Sequence, residues 1–395
     1  MTAQTPGFVG ARLEEARRAR GMSATDLADL VGVSLQSISK YENGHQTPKL
    51  DVLLKLSWAL KFSRPYFMRP IELDDQNPVF WRAKLSAPPI KRERAAVRLQ
   101  WMKEVVDYIA GFFDLLPLNV PKLKMPITST DVDEIENAAK AIRDHWEIRP
   151  GPMPDVIEKL EANGILVARI HVGAEKLDAF SQWSRKFNIP FVVLSRDKAS
   201  AARQRFDVLH ELAHVTLHHS VNQTRLNDRA SYKVIEKQAD LLACALLLPE
   251  EEFLEELYAP SLDAFVAMKE RWGVSVAAMI MRCRVLDIID EEEGRRLWIN
   301  YNRRGWRKGE PLDNKMEKEK PHNIRRSFEL LMSENIQSAS DILRALPFPA
   351  TDLEEIADLE PGTLSGAVEA RPEPTLKAEF LRAPSNVVSI FDKKS

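Results

Sequence analysis

The sequence predicts a mainly α-helical α+β protein, in which helical patterns run along most of the 395 residues and flank one small β-sheet. Between residues 7 and 70, apolar side chains recur every three or four positions in four or five short helices. Three short apolar runs then predict strands at residues 165–170, 178–183 and 190–195. This order indicates an all-α N-terminal domain, a second domain that contains the sheet, and a helical C-terminal part.

The composition is typical of a globular protein of the cytosol. The net charge is −2, hydrophobic residues make up 44% of the chain, and no apolar run is long enough to cross a membrane. The first residues lack the basic start and apolar core of a signal peptide. Cys244 and Cys283 are the only cysteines, which excludes a cysteine zinc site and favours a reducing compartment. We therefore expect a cytoplasmic protein without membrane contact.

Two of the N-terminal helices are separated by Gly32 and begin at the predicted N-caps Ser23 and Ser34. Residues 1–70 hold ten Lys and Arg against six Asp and Glu, a local surplus of four positive charges. Two short helices joined by a glycine turn, with polar donors on the outer face of the second, are typical of a helix-turn-helix that binds DNA. The alternative is a solvated helix face in a protein-binding module.

Residues 22–44, with Leu-Ala, Gly-Val-Ser, Ile and Glu-Asn-Gly at their characteristic spacing, closely resemble the Cro/repressor (XRE-like) helix-turn-helix family. The resemblance implies that Gln36, Ser39 and Lys40 face base edges in the major groove of double-stranded DNA. Gln can pair with adenine there, and Lys can reach guanine or phosphate. Ser37 and Asn43 would contact the DNA backbone. Such domains usually bind paired half-sites as dimers, so a homodimer is expected.

Residues 71–130 are interpreted as a connector. Phe80-Trp81-Arg82 is expected to anchor it on neighbouring structure, and residues 90–116 show a long helical pattern with an apolar stripe. Four basic residues at the start of this pattern could follow phosphate, although a solvated face is their more common role. They are Lys91, Arg92, Arg94 and Arg98.

The motif that carries chemistry is His210-Glu-Leu-Ala-His214, within a stretch that contains no helix breaker. On a helix, His210 and His214 lie one turn apart on the same face, where two neutral imidazoles can hold one Zn²⁺. The same turn directs Glu211 toward the zinc-activated water as a general base. A developing oxyanion needs a further donor, for which His218, Tyr232 and Arg205 are candidates.

A catalytic zinc takes three protein ligands, and the next helical pattern offers Glu236 and Asp240 one turn apart. By analogy with zinc hydrolases that use a glutamate ligand, we assign Glu236 as the third ligand. Asp240 is then the carboxylate that orients a ligand histidine, with His218 also in the surrounding shell. Asp240 and His218 remain competing ligands. The longer motif with a third histidine is excluded, because leucine and serine stand at positions 217 and 220.

The pattern Arg-x-x-Phe-Asp-x-x-His-Glu-Leu-Ala-His-x-x-Leu-His at residues 203–218, followed by Glu-x-x-Ala-Asp-x-x-Ala-x-x-Leu-Leu-x-Pro at residues 236–249, resembles the ImmA/IrrE family of metallopeptidases. The resemblance extends over roughly residues 75–315. It implies a cytosolic, zincin-like enzyme of bacterial or phage origin that cleaves helix-turn-helix repressors. Gln238 departs from the family, which frequently has a second glutamate there, and Cys244 stands where alanine is common.

The C-terminal part shows helical patterns at Leu262–Trp272 and residues 275–289, followed by an acidic turn at residues 290–293. Residues 303–326 are rich in charged residues and predict a loose surface stretch. A helical pattern returns at residues 324–346, and its function is not readable.

Five segments follow from these patterns. They are an XRE-like helix-turn-helix DNA-binding domain (1–70), a connector with a long helix (71–130), a zincin-like metallopeptidase domain (131–255), a C-terminal helical region (256–370) and a flexible tail (371–395). The predicted function is a DNA-binding zinc metallopeptidase and transcriptional regulator that cleaves a helix-turn-helix repressor. The alternatives are a catalytically inactive transcription factor that uses the peptidase-like domain as a sensor, and an antitoxin-like partner in a two-gene module.

Overall fold

A computed structural model describes residues 6–71, 77–81, 88–123, 125–126, 128–173, 177–197 and 200–366. The predicted α+β class is confirmed, with a helical N-terminal part followed by helices around one four-stranded sheet. In the described ranges, every helix is too short or too polar to span a bilayer. The predicted tail at residues 371–395 lies outside the described residues.

The helices and strands follow one another in three groups. The N-terminal group contains α1 (Gly10–Ala19), α2 (Ala24–Val31), α3 (Leu35–Glu42), α4 (Leu50–Leu60) and a 3-10 helix (Arg64–Met68). The middle group contains β1 (Val79–Trp81), α5 (Pro89–Ala110), α6 (Val132–His145), α7 (Val156–Ala162), β2 (Leu166–Ile170), β3 (Ala179–Ser184), β4 (Ile189–Ser195), α8 (Ala201–Leu217), α9 (Gln223–Asn227), α10 (Arg229–Leu247) and α11 (Glu250–Glu256). The C-terminal group contains α12 (Leu262–Trp272), α13 (Val276–Val285), α14 (Glu291–Arg303), α15 (Asn323–Ser333), α16 (Ala339–Ala345) and α17 (Ala350–Ile356).

The sheet has the strand order β1-β3-β4-β2. Strand β4 is parallel to β2 and antiparallel to β3, and β1 adds an antiparallel edge to β3. The three predicted strands are confirmed within a residue or two. Strand β1 was not predicted as a strand, because its three residues are too few to show a period of two and its pairing partner lies about a hundred residues away. Phe80 and Trp81 do anchor this segment, whereas Arg82 lies outside the described residues.

The sheet separates two hydrophobic cores. Phe191 and Val193 of β4 face a first core, which they share with the N-terminal helices, α5 and helices α15–α17. Val192 and Leu194 face a second core, which they share with α6–α8, α10 and helices α11–α13. This alternation follows from the pleat of a strand. Both faces of the sheet are therefore buried, and α8 packs directly on β3 and β4.

A buried ionic network fixes the N-terminal helices onto α5. Arg12 of α1 donates from Nη1 to Glu15 and to Glu104 of α5, each at 2.8 Å, and its side chain is fully buried. Trp101 of α5 donates its indole N–H to Glu15 at 2.6 Å. Burial raises the pKa of Glu15 to about 7. The helix-turn-helix therefore packs against α5 in a shared hydrophobic core. It is not joined to the rest of the chain by a loose linker alone.

Asp352 of α17 forms a second set of ion pairs between the N-terminal helices, α5 and the C-terminal part. One of its oxygens lies 3.0 Å from Arg20, which follows α1, and the other lies 2.7 Å from Arg98 of α5. Only 3% of the Arg98 side chain is exposed, so this residue of the basic cluster neutralises an internal carboxylate rather than facing DNA phosphate.

Two expectations for the C-terminal part were wrong. The acidic residues at 290–293 begin α14, where Asp290 and Glu293 form a reciprocal capping box, since negative charge is favourable at a helix N-terminus. Residues 303–326 are not a loose surface stretch. Glu310 and Asp313 reach the buried Lys269 at 2.7 and 2.6 Å, and Glu319 accepts from the first amides of α7. These carboxylates pair with a buried lysine and with backbone amides elsewhere in the fold. The composition of the segment does not indicate those partners.

Replacing Arg12 by alanine is expected to lower the free energy of unfolding by about 3–5 kcal/mol, because Glu15 and Glu104 would remain buried without their cation. Urea denaturation followed by tryptophan fluorescence measures this loss. The matched control is Arg304→Ala, which removes an exposed ion pair with Asp263 and should barely move the midpoint. Equal midpoints for the two variants would show that the network does not hold the domains together.

Candidate metal centre and nucleic-acid interface

Helices α8 and α10 pack side by side and bring together the histidines and carboxylates singled out in the sequence. At the start of α8, the Ser200 side chain accepts a hydrogen bond from the backbone N–H of Arg203. At the start of α10, the Asp228 side chain accepts one from the backbone N–H of Ser231. No glycine or proline interrupts either helix. Because α8 is enclosed by the sheet and by α10, its polar side chains face partners inside the protein.

Three potential ligands form a compact triangle. The Nε2 atoms of His210 and His214 lie 3.1 Å apart, and Glu236 places one carboxylate oxygen 3.7 Å from the first and the other 3.5 Å from the second. Atoms that bind a tetrahedral zinc at about 2.0–2.1 Å lie about 3.3 Å from one another. The three separations therefore match the spacing that one metal ion requires.

Asp240 sets the tautomer of His210. Its carboxylate oxygen lies 2.9 Å from Nδ1 of His210 and, being ionised, can only accept. The proton of His210 therefore sits on Nδ1, and Nε2 presents a lone pair to the centre of the triangle. Carboxylates in this position orient metal-binding histidines and make them more basic. The structure thus places Asp240 behind His210, whereas the Glu236 carboxylate faces both Nε2 atoms.

A relay through His218 and Gln238 sets the tautomer of His214. The Gln238 amide nitrogen donates to the carbonyl oxygens of Pro126 and Ser129, so its oxygen must accept from Nε2 of His218 at 2.8 Å. Nδ1 of His218 then accepts from Nδ1 of His214 at 2.9 Å. This leaves a lone pair on Nε2 of His214. Burial, and then the neighbouring His214, hold the pKa of His218 well below its ordinary value, which agrees with a neutral relay.

These tautomers make the triangle a fit for a cation. Two imidazole lone pairs that face each other at 3.1 Å repel unless a positive charge lies between them, and the Glu236 carboxylate adds a negative charge beside them. His218 uses both ring nitrogens in the relay and is therefore not a third ligand. Glu236 is 20% exposed and Asp240 is 56% exposed, so this side of the centre is open to solvent.

Glu211 lies beside the triangle. Its side chain is fully buried, and it belongs with His210 and His214 to a group whose ligand atoms all lie within 4.8 Å of one another. Ser181 of β3 donates its hydroxyl to Oε2 of Glu211 at 2.6 Å. Of the suggested oxyanion donors, Arg205 is held by Glu319 and by backbone carbonyls, and Tyr232 donates to the carbonyl of Trp81 at 3.0 Å.

The helix-turn-helix geometry also follows the predicted capping. Gly32 ends α2 with a φ of +72°, in the left-handed region, and the Ser34 side chain caps α3. Gly10 of α1 lies so close to the end of α3 that a Cβ atom there would come within 2.1 Å of the Tyr41 carbonyl oxygen. The absence of a side chain at Gly10 therefore allows α1 and α3 to pack this closely. Ile38 and Tyr41 are buried as expected.

The outer face of α3 is polar and accessible. Four of the predicted DNA-contacting residues are exposed and Ser37 is half-buried; the exposed ones are Gln36, Ser39, Lys40 and Asn43. Three of the five also form side-chain hydrogen bonds within α3 or at its caps, since the Asn43 side-chain amide also donates to the Ser39 hydroxyl at 3.4 Å. The Ser37 hydroxyl lies 2.9 Å from that of Ser34, and the Asn43 amide donates to the Ser39 carbonyl at 2.8 Å. Gln36 and Lys40 thus lie on the exposed face, where they can reach a partner.

Two family models match the parts of the chain that contain these residues. The family model described as helix-turn-helix matches residues 13–67, and the one described as IrrE N-terminal-like domain matches residues 160–284. The chain joins a helix-turn-helix domain to an IrrE N-terminal-like domain. The expected family resemblance is confirmed, although the matched IrrE N-terminal-like domain is shorter than the range of 75–315 predicted from the motifs.

Several curated relatives are regulators. An HTH-type transcriptional regulatory protein of Pyrococcus furiosus is 35% identical over 128 residues, which cover 32% of this chain and 35% of that protein. The HTH-type transcriptional regulator ImmR of Bacillus subtilis is 32% identical over 69 residues, 18% of this chain and 54% of that protein. The cryptic phage CTXphi transcriptional repressor RstR of Vibrio cholerae is 28% identical over 88 residues, 22% of this chain and 79% of that protein. The chain thus spans about a third of the first relative and about half of the second.

Three residues around the candidate metal centre were not predicted from the motifs. Ser181 was visible only as part of a predicted strand, and Gln238 only as a departure from a family pattern. Phe80 stacks on His214 with ring centroids 4.8 Å apart, although it lies 134 positions away in the sequence. A local pattern contains no signal for any of these contacts.

Replacing Gln238 by leucine is expected to lower zinc affinity by roughly 10- to 100-fold, because the relay that fixes the His214 tautomer would lose its acceptor. Competition with a chromogenic chelator measures the affinity. Gln337→Leu is the control, since Gln337 accepts from Tyr108 in the C-terminal part. If both variants bind zinc as tightly as the unaltered chain, the relay does not support the metal.

Proposed function

We propose that this chain is a DNA-binding transcriptional regulator whose IrrE N-terminal-like domain is a zinc metalloendopeptidase. The observation that carries the proposal is the triangle of His210, His214 and Glu236, with both imidazole tautomers fixed from behind and Glu211 beside it. This combination serves both metal binding and proton transfer. A purely structural helix would have no need of it.

The three ligand residues would hold the zinc, and its contribution when bound is to polarise the scissile carbonyl and to lower the pKa of water. Glu211 accepts the proton of the attacking water and delivers it to the leaving amine. Ser181 keeps one Glu211 oxygen in place, so the carboxylate does not rotate away from the centre. Asp240 and the His218–Gln238 relay keep the ligand imidazoles in the tautomer that binds metal.

The proposed substrate is a protein, and we infer a helix-turn-helix repressor. This inference rests on the resemblance to the ImmA/IrrE family and on the chain's own helix-turn-helix, which would bring the domain to the operator where such a repressor is bound. Homodimerisation remains a prediction, since paired half-sites in DNA require two copies of the recognition helix.

A catalytically inactive regulator is the second candidate. The observation in its favour is that the relatives described above are named as regulators or repressors. In that case the metal centre would act as a sensor that reports to the helix-turn-helix through the shared first core.

Replacing Glu211 by glutamine is expected to keep zinc bound while lowering the cleavage rate at least about 100-fold, because the amide cannot take the proton of the attacking water. The assay incubates the zinc-loaded protein with the helix-turn-helix protein encoded beside its gene and follows fragments by mass spectrometry. Glu251→Gln, an exposed change on α11, is the matched control and should cleave normally. Cleavage at the normal rate by Glu211→Gln would exclude the mechanism, and metal binding without any cleavage by the unaltered chain would favour the sensor.

Replacing Lys40 by alanine is expected to weaken binding to the promoter of the protein's own gene by about 1–3 kcal/mol, roughly 5- to 150-fold, because Lys40 lies on the exposed face of α3. Electrophoretic mobility shift at fixed salt measures the loss. Lys55→Ala, which removes an exposed lysine of α4 with the same charge, is the control. Equal weakening by the two variants would mean that α3 does not read the groove.

A further inference from the structure

Strand β1 lies along the edge of the sheet that borders the metal centre. It pairs with β3 so that Phe80 is opposite Ser181, the residue whose hydroxyl holds Glu211. The outer edge of β3 is therefore the sheet edge next to the proposed general base. The strand that occupies this edge is only three residues long.

The side chain of Phe80 fills a site directly over the metal centre. Its ring stacks on the His214 imidazole with centroids 4.8 Å apart and planes 19° from parallel, and only 5% of the residue is exposed. Phe80 forms a small hydrophobic cluster of its own with residues that follow α8 or lie on α9 and α10. These residues are Val221, Leu226, Tyr232 and Ile235.

The other side of β1 is held by α10. The Tyr232 hydroxyl donates to the Trp81 carbonyl at 3.0 Å, and Tyr232 lies one helical turn before Glu236. Strand β1 thus bridges the space between the sheet edge and the helix that supplies the third ligand. An extended peptide bound by β-augmentation uses these same contacts, main-chain pairing with an edge strand and pockets for alternate side chains.

We propose that the outer edge of β3 is the peptide-binding edge of this domain, that its site over His214 accepts a bulky apolar side chain, and that residues 77–81 fill it as an internal ligand. The proposal rests on the proposed peptidase function and adds the mode of substrate binding. A substrate would be an extended segment with a Phe-like residue at the position of Phe80, and it would have to displace β1 first.

The internal ligand is also tied to the helix-turn-helix. Arg12 donates to the carbonyl oxygens of Arg69 and Pro70, at 3.2 and 2.8 Å, and β1 begins nine residues after Pro70. The chain is therefore held by the DNA-binding part at a point nine residues before β1.

The test uses a fluorescein-labelled peptide, Asn-Pro-Val-Phe-Trp, which has the sequence of residues 77–81. Its binding to the full chain with Glu211→Gln is measured by anisotropy, with and without Phe80→Ala. We expect Phe80→Ala to increase peptide affinity at least about 10-fold, because weakening the internal ligand raises the fraction of protein with an open edge. A peptide with alanine in place of its phenylalanine should bind at least about 10-fold more weakly.

Phe328→Ala is the matched control, since Phe328 is a fully buried phenylalanine of the first core in α15. It should destabilise the chain without increasing peptide binding. No gain in affinity with Phe80→Ala, or an equal gain with Phe328→Ala, would overturn the proposal and make β1 an ordinary edge strand. If Phe80→Ala folds poorly, Phe80→Leu keeps the apolar bulk and should give a smaller gain.

Hydrogen exchange on the chain with unaltered Phe80 provides a readout without a destabilising mutation. At saturating peptide, the amides of β1 should exchange faster while those of β3 remain protected. Unchanged exchange of β1 would overturn the proposal. Neither readout depends on cleavage. Peptide binding with displacement of β1 would therefore support this proposal even if the unaltered chain cleaved no helix-turn-helix protein, a result that would count against the peptidase function alone.

Discussion

Helix α8 buries His210, Glu211 and His214, its C-cap residue His218 is buried as well, and the surrounding elements supply hydrogen-bonding partners for these side chains. A buried polar group without a partner is costly, so each of these side chains constrains another element. Asp240 and Gln238 of α10 must reach His210 and His218, and Ser181 must lie on β3. The packing of α8, α10 and the sheet is inseparable from this requirement.

The direction of these hydrogen bonds matters as much as their presence. The relay begins at two backbone carbonyls, which can only accept, and ends with a lone pair on Nε2 of His214. Asp240 produces the same result at His210 with a charged acceptor. The tautomers of the two candidate ligand histidines are therefore set in different ways. A carboxylate sets that of His210, and a neutral chain of hydrogen bonds sets that of His214. The neutral relay adds no negative charge behind the centre.

The same fold connects the two functional regions. The sheet has one face toward the candidate metal centre and the other toward the core that holds the helix-turn-helix, and α5 and α17 join the two through the partners of Arg12, Arg20 and Arg98. Buried ion pairs of this kind tolerate little displacement, because separating the charges leaves each one desolvated.

The sequence alone determined the features that depend on residues within about one helical turn. The spacing of His210 and His214, the N-caps at Ser23 and Ser34, and the three predicted strands all follow from local periodicity and capping. The assignment of Glu236 and Asp240 also required the family comparison. Their spacing shows that both lie on one face of a helix, but it does not show which helix that face packs against.

The tertiary structure alone decided the contacts that join distant segments. Several of these contacts correspond to no periodic pattern in the sequence. They are the pairing of β1 with β3, the contact of Phe80 with His214, the relay through Gln238, and the buried contacts of Glu310, Asp313 and Glu319. A three-residue strand or a lone carboxylate has no pattern of its own. Its position is set by the partner that folding brings to it.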